Sequence, residues 1–346
     1  MKNIAILVAG LLAVSLFAIP LQAQERTSAQ VTLKMGTLAP EDSLWMSLLK
    51  KVLNEVESKG GGIVKTVIYG NGVLGDEPEM VRKMRLDQLQ EGAFTVQGIA
   101  AIAPEMSVLE LPFLFESYEE IDLVREKFFP RFEKLFEQKG FILLTLQDQG
   151  MVNIYTNQPA RSPKELAQQK MWVWANETVA QETFKALGIN AVPLPVTEVL
   201  PGLRTGLINA VYGSSLACIA FQWFNLIKYQ IALNLRYEPG VVVMTPKAWN
   251  SFSPSYRKLV RDTLSEFTPS TLETVRNYMK QFSDSLTEYG VKPITLTPEE
   301  REVFKKRTRV VWDTLAGKLY PRPLLDDIVK TLEAHRKKKT KSSSFP

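Results

Sequence analysis

The chain of 346 residues has one cysteine, Cys218, and one histidine, His335. A lone cysteine excludes an internal disulfide. With a single imidazole, placed in a charged segment near the end, zinc sites built from His and Cys and nucleophiles that depend on a histidine base are excluded as well. Long apolar runs are scarce: beyond residue 23 no segment offers the ~18 unbroken apolar residues of a membrane span. An excess of positive charge is missing from the body of the chain. Of the formal net +5, one charge is Lys2 and five are Arg336, Lys337, Lys338, Lys339 and Lys341, which leaves −1 on residues 24–335. Phosphate binding needs a basic face on the folded body, so a nucleic-acid partner is not expected, and the basic tail at 336–346 reads as solvated. The glycines at 60–62 match neither phosphate-binding pattern and read as a turn. No cofactor, metal or catalytic residue is expected.

What is present is the balance of a globular protein, 45% hydrophobic and 23% charged. Residues 1–23 read as a secretory signal peptide: Lys2, an apolar run over 4–19, Pro20, and small Ala23 at the cut. The remainder exceeds the ~250–300 residues at which one core stops growing, so two lobes are expected. Strand and helix alternate. Residues 31–38 and 63–69 read as strands around an amphipathic helix over 43–59; a helix over 77–90, a strand over 93–97, a helix over 118–139 and strands over 141–147 and 151–156 follow. A strand over 171–174 leads to a helix over 177–187 closed by Gly188. Strands at 231–237 and 241–245 flank a break at Glu238-Pro239-Gly240. A helix of over 30 residues spans 253–289 with a kink at Pro269, and helices cover 298–316 and 323–337. Repeated βα units predict a mostly parallel sheet.

Three blocks, LKMGTLAPEDS (33–43), YGNGVLGDEPEMVRKMR (69–85) and PEMSVLELPFLFESYEE (104–120), resemble the solute-binding subunit of tripartite ATP-independent periplasmic (TRAP) transporters, the DctP type. The PxxxTEVLPGLRTGLINAVYG stretch (193–213) continues the resemblance, which covers roughly 31–332. It implies an α/β fold of two lobes with a ligand cleft between them and a long C-terminal helix spanning both. The implied N-lobe is 31–150 and 239–278, the C-lobe 151–238 and 279–332. Hinge closure on the ligand would signal occupancy to membrane permease subunits. Export by the signal peptide places such a protein in the periplasm.

The departures from the family decide the ligand. Members that capture organic acids carry an arginine that clamps the carboxylate, and that position is Trp172 here; a second arginine of some members falls on Val152, and a frequent asparagine on Gly213. Trp172 and Trp174 share one strand face, and each ring can bury about 150–250 Å². A hydrophobic or amphipathic ligand is therefore expected, contacted by Trp172, Trp174, Val152, Val196, Tyr212, Gly213, Ser214 and, at the rim, Trp45. Arg204 is a candidate replacement clamp, although an arginine on a helix surface is usually solvated, and the 218–223 run reads as core with part of it facing the cleft. The altered site also points to the subset of systems that add a periplasmic tetratricopeptide-repeat protein. The alternative function is a periplasmic carrier or scaffold handing hydrophobic molecules to a partner. An enzyme would need an acid pair or a nucleophile with its base in the cleft, and no interior histidine is available to supply one.

Overall fold

The computed structural model describes residues 31–343; the signal segment of 1–23 lies outside them. The strands are β1 (Val31–Thr37), β2 (Val64–Tyr69), β3 (Glu91–Phe94), β4 (Ile142–Thr156), β5 (Trp172–Trp174), β6 (Val192–Leu194), β7 (Ala210–Gly213), β8 (Tyr229–Met244) and β9 (Lys292–Ile294). One sheet runs β2-β1-β3-β8-β4-β7, with β9 beside β8, and β5 pairs β6 separately. The sheet is mixed and not mostly parallel: β1 runs parallel to β2 and β3, but β8 is antiparallel to β3 and β4, and β4 to β7. The cause is the length of β4 and β8. The runs expected as four short strands are two continuous ones of 15 and 16 residues, and they cross the whole molecule side by side.

Neither Gly150 nor Pro239 breaks its strand. The β4–β8 pairing shifts between Asp148 and Gly150, so that Pro239, which has no N–H to give, sits opposite Asp148 at an irregularity where a ladder bond is dispensable. Gly150 has φ +121, and a Cβ there would meet the Met279 sulfur at 2.2 Å, which is why this crossing takes glycine. On one side of the shift β4 and β8 join β1, β2 and β3; on the other they join β7 and β9.

Helix starts follow local capping chemistry. Ser43, Ser117 and Ser253 each accept from the backbone N–H three residues on, at the heads of Leu44–Lys59, Tyr118–Gln138 and Pro254–Glu288. The last is one 35-residue helix with Pro269 inside it. It lies along β4 and against Leu44–Lys59 at one end, and at the other its Met279 carbonyl accepts from Ser215 Oγ at 3.1 Å, so it touches both halves of the sheet. The helix expected over 77–90 ends at Arg85, and the strand expected over 93–97 ends at Phe94 because Val96 already begins the helix Val96–Ile102.

The tail is not simply solvated. Arg322–Ser343 is one helix packed on Tyr118–Gln138. Arg336 donates to both oxygens of Glu120 at 2.7 Å and to the Leu114 carbonyl, and Lys339 pairs with Glu119 at 2.6 Å. The acids of one helix's first turn thus meet bases late in the other.

Candidate functional site

Between the two halves of the sheet lies a cavity whose empty volume, including space open to solvent, is about 1680 Å³. Its aromatic wall is built by short elements held together edge to edge. β5 places Trp172 and Trp174 on one side, β7 ends at Tyr212 and Gly213, and the turn after Ser215–Ala220 adds Phe221 and Trp223. Trp172 stacks on Tyr212 with ring centres 4.9 Å apart and meets Trp223 edge-on at 5.4 Å and Trp174 at 6.1 Å. Its indole N–H donates to the Leu194 carbonyl at 3.0 Å, fixing the ring in place. Trp172 is only 2% exposed, yet it borders the cavity. Two bonds reach across the cleft: Trp174 Nε1 donates to Asp76 Oδ2 at 3.0 Å, and Gln97 Nε2 to the Ala175 carbonyl at 2.7 Å.

Of the residues singled out from sequence, Trp45, Trp172, Trp174, Val196, Tyr212 and Gly213 border the cavity together. Val152 and Ser214 do not. Val152 is wholly buried in the centre of β4, and Ser214 is spent capping its helix, accepting from the Ala217 N–H at 3.2 Å. Arg204 is no clamp, since it is exposed on the helix Val199–Thr205, away from the cavity. Within 218–223, Phe221 and Trp223 reach the cavity and Cys218 is core.

Sequence reasoning missed the acids. Glu77, Glu91 and Glu238 all border the cavity, and among the described residues no arginine, lysine or histidine does. Glu77 accepts from Thr95 N, Gly98 N and Thr95 Oγ1 at 2.8, 2.7 and 3.1 Å, but burial prevails over these bonds and pushes its pKa up to about 8. Glu91, held by Thr66 Oγ1 at 2.9 Å, is raised by burial to about 7, and so is Glu238 despite the pull of Arg236. Arg236, the guanidinium that acts on Glu238, is already engaged: it donates to Glu110 Oε2 at 2.7 Å and to Glu177, and lies 5.6 Å from the Tyr212 ring centre. Glu177 also accepts from the Tyr212 hydroxyl. Arg236 thus stiffens the aromatic wall from behind and brings no charge to the cavity.

The sequence model of DctP, described as bacterial extracellular solute-binding protein, family 7, matches residues 35–318. The chain belongs to the DctP family. This is a family of substrate-binding receptors, not enzymes. A solute-binding protein of Chromohalobacter salexigens is 22% identical over 287 residues, 82% of this chain and 84% of its own. The 2,3-diketo-L-gulonate-binding periplasmic protein YiaO of Escherichia coli is 22% identical over 248 residues, 71% of this chain and 75% of its own. In fold, this DctP chain matches the sugar acid binding protein DctPAm of Advenella mimigardefordensis in complex with galactonate, with TM-score 0.83, 21% identity and 88% and 99% of the two chains covered. A TRAP periplasmic solute-binding protein of Haemophilus influenzae with bound L-gulonate matches with TM-score 0.81, 20% identity and 88% and 100% coverage. The two-lobe fold of TRAP receptors is therefore the fold of this chain. No helix among the described residues is long and apolar enough to cross a membrane.

Proposed function

We propose that this DctP-family receptor takes an apolar or amphipathic solute and presents it, by hinge closure, to TRAP permease subunits at the periplasmic side. One observation carries the reading: three carboxyl groups and an indole wall border the cavity, and among the described residues no cation does. The named relatives above that have a described ligand bind sugar acids. A carboxylate placed in this cavity would gain none of the ~1.5–3 kcal/mol per bond that a charged donor supplies. At about 1.4 kcal/mol per decade, the absent donors alone weaken such a ligand at least tenfold to a hundredfold. Trp172, in this reading, replaces a clamp by apolar contact area, with Trp174, Val196, Tyr212, Gly213 and Trp45 around it.

The hinge belongs to the same proposal. Lobes of 31–150 with 239–278, and of 151–238 with 279–332, meet at Asp148–Gly150, the middle of three register shifts in the β4–β8 ladder, where Gly150 adds a backbone freedom that the flanking shifts lack. The Trp174–Asp76 and Gln97–Ala175 bonds would be made on closing. None of the relatives named above is described with a tetratricopeptide-repeat partner, and neither that partner nor a carrier role without a permease is part of this reading.

The test is calorimetric titration with galacturonate and galactonate, alongside extraction and mass spectrometry of whatever co-purifies with the native chain. Native protein should leave both sugar acids unbound and yield an apolar molecule. Trp172→Arg should gain sugar-acid affinity tenfold or more and lose the apolar ligand. Micromolar binding of galacturonate by the native chain would overturn the reading.

A further inference from the structure

The cavity does not stop at the cleft. From the tryptophans it continues beneath β1, β3, β4 and β8, roofed by the helices Leu44–Lys59 and Pro254–Glu288. Leu33, Leu144, Val242 and Met244 form its sheet side. Along the longer helix the lining extends from Tyr256 to Val275, roughly 28 Å at 1.5 Å per residue. The shorter helix shows what this space does to packing. Leu48, Leu49, Val52 and Leu53 are its apolar face, yet all four are only half-buried, and Met46 is the one buried residue of its 16. A face of that composition ordinarily packs against a core. Here it faces the cavity instead.

Unmet polar groups mark the same space. Trp45 Nε1, Trp223 Nε1, Gln147 Oε1 and the Tyr256 hydroxyl are buried side-chain atoms with no hydrogen-bond partner among the described residues, and all four residues border the cavity. Native chains pair nearly every such group. The two indoles stand at the cleft, and both are donors only, so their complement is an acceptor oxygen.

Resting on the apolar-solute reading, we propose that the solute is a single-chain amphiphile, its alkyl or acyl tail lying between the sheet and the two helices and its uncharged, oxygen-bearing head at Trp45 and Trp223. A passage this long and this apolar suits an unbranched chain. An ionised head would find no counter-charge among the described residues of the lining.

Titration of the mature chain with 1-monoacylglycerols of increasing length tests the proposal, with galacturonate as the control. Affinity should rise about fourfold with each added methylene until the passage is filled, the factor that burial of one CH₂ implies. Val52→Trp and Leu264→Trp, which obstruct the passage from its two walls, should each abolish the gain of long chains over short ones. A native circular-dichroism spectrum and a cooperative thermal transition show that each variant is folded. A flat length dependence in the native chain, or obstructed variants that keep the long-chain gain, would sink the passage while the apolar-solute reading stands. A fatty-acid anion bound at high pH as tightly as the monoacylglycerol of equal length would sink the uncharged head. Galacturonate binding with no monoacylglycerol bound would remove both the passage and the reading beneath it.

Discussion

Two helices lie over the half-sheet that carries β1, β2 and β3, and their sequences follow the same rule with opposite results. Tyr118–Gln138 and Leu44–Lys59 both repeat apolar residues at helical spacing behind a serine cap. The first buries Ile121, Val124, Phe128, Phe132 and Phe136 in a filled core. The second buries Met46 alone and turns its leucines and valines to an open space. Apolar periodicity therefore states which face of a helix turns inward, not whether the interior it meets is occupied. A filled core serves stability. A hollow one, lined with the same residue types, gives up part of that stability and keeps room for a solute.

The contrast can be broken by mutation. Phe132→Ala on the filled flank should cost about 3–5 kcal/mol of unfolding free energy in denaturant titrations, and a cost near that of a surface change would dissolve the distinction. Next in size is a pH effect on the hollow flank. Glu91 holds its proton in the folded chain up to about pH 7, against an ordinary value of 4.5. Its contribution is fully present below about 4.5 and is lost as pH rises through about 7, because the unfolded chain gives up the proton first. At 1.36 kcal/mol per pH unit the loss amounts to at most about 3 kcal/mol, and Glu91→Gln should remove that share of the slope, leaving the part due to the other raised carboxyls Glu77 and Glu238. A native curve already flat between pH 4.5 and 7 would contradict the burial of this carboxyl. Smallest is Leu49→Ala, expected to cost under about 1 kcal/mol, since a half-buried leucine beside an open space leaves little new cavity. A loss above about 2 kcal/mol would mean that the flank is packed after all.

The aromatic wall was legible because its residues are neighbours in sequence or in a family motif: Trp172 and Trp174 two apart on one strand, Tyr212 beside Gly213. Val152 and Ser214 read as equally good candidates but do not border the cavity, because β4 turns Val152 into the core and Ser214 caps its own helix. The acids were invisible. Glu77 looks like a first-turn residue suited to the helix dipole, Glu91 falls between the expected helix and strand and Glu238 reads as a turn residue, and nothing local marks any of them as buried. Arg236 shows the limit in the other direction, since only its two carboxylate partners, 126 and 59 residues away, reveal that its charge is already used. The sheet was misread for a related reason. Alternating strands and helices suggested parallel pairing, but strands long enough to serve both halves must run back and forth.

Sequence alone determined the family, the two-lobe α/β plan and the pairing of Trp172 with Trp174 on one strand, since each rests on residues close together in the chain. Tertiary structure alone decided that the space beneath β1 is hollow, that three acids and, among the described residues, no base border it, and that Arg236 is engaged elsewhere. Those are facts about which distant side chains fail to meet or meet only after folding, and no local pattern of residues encodes them.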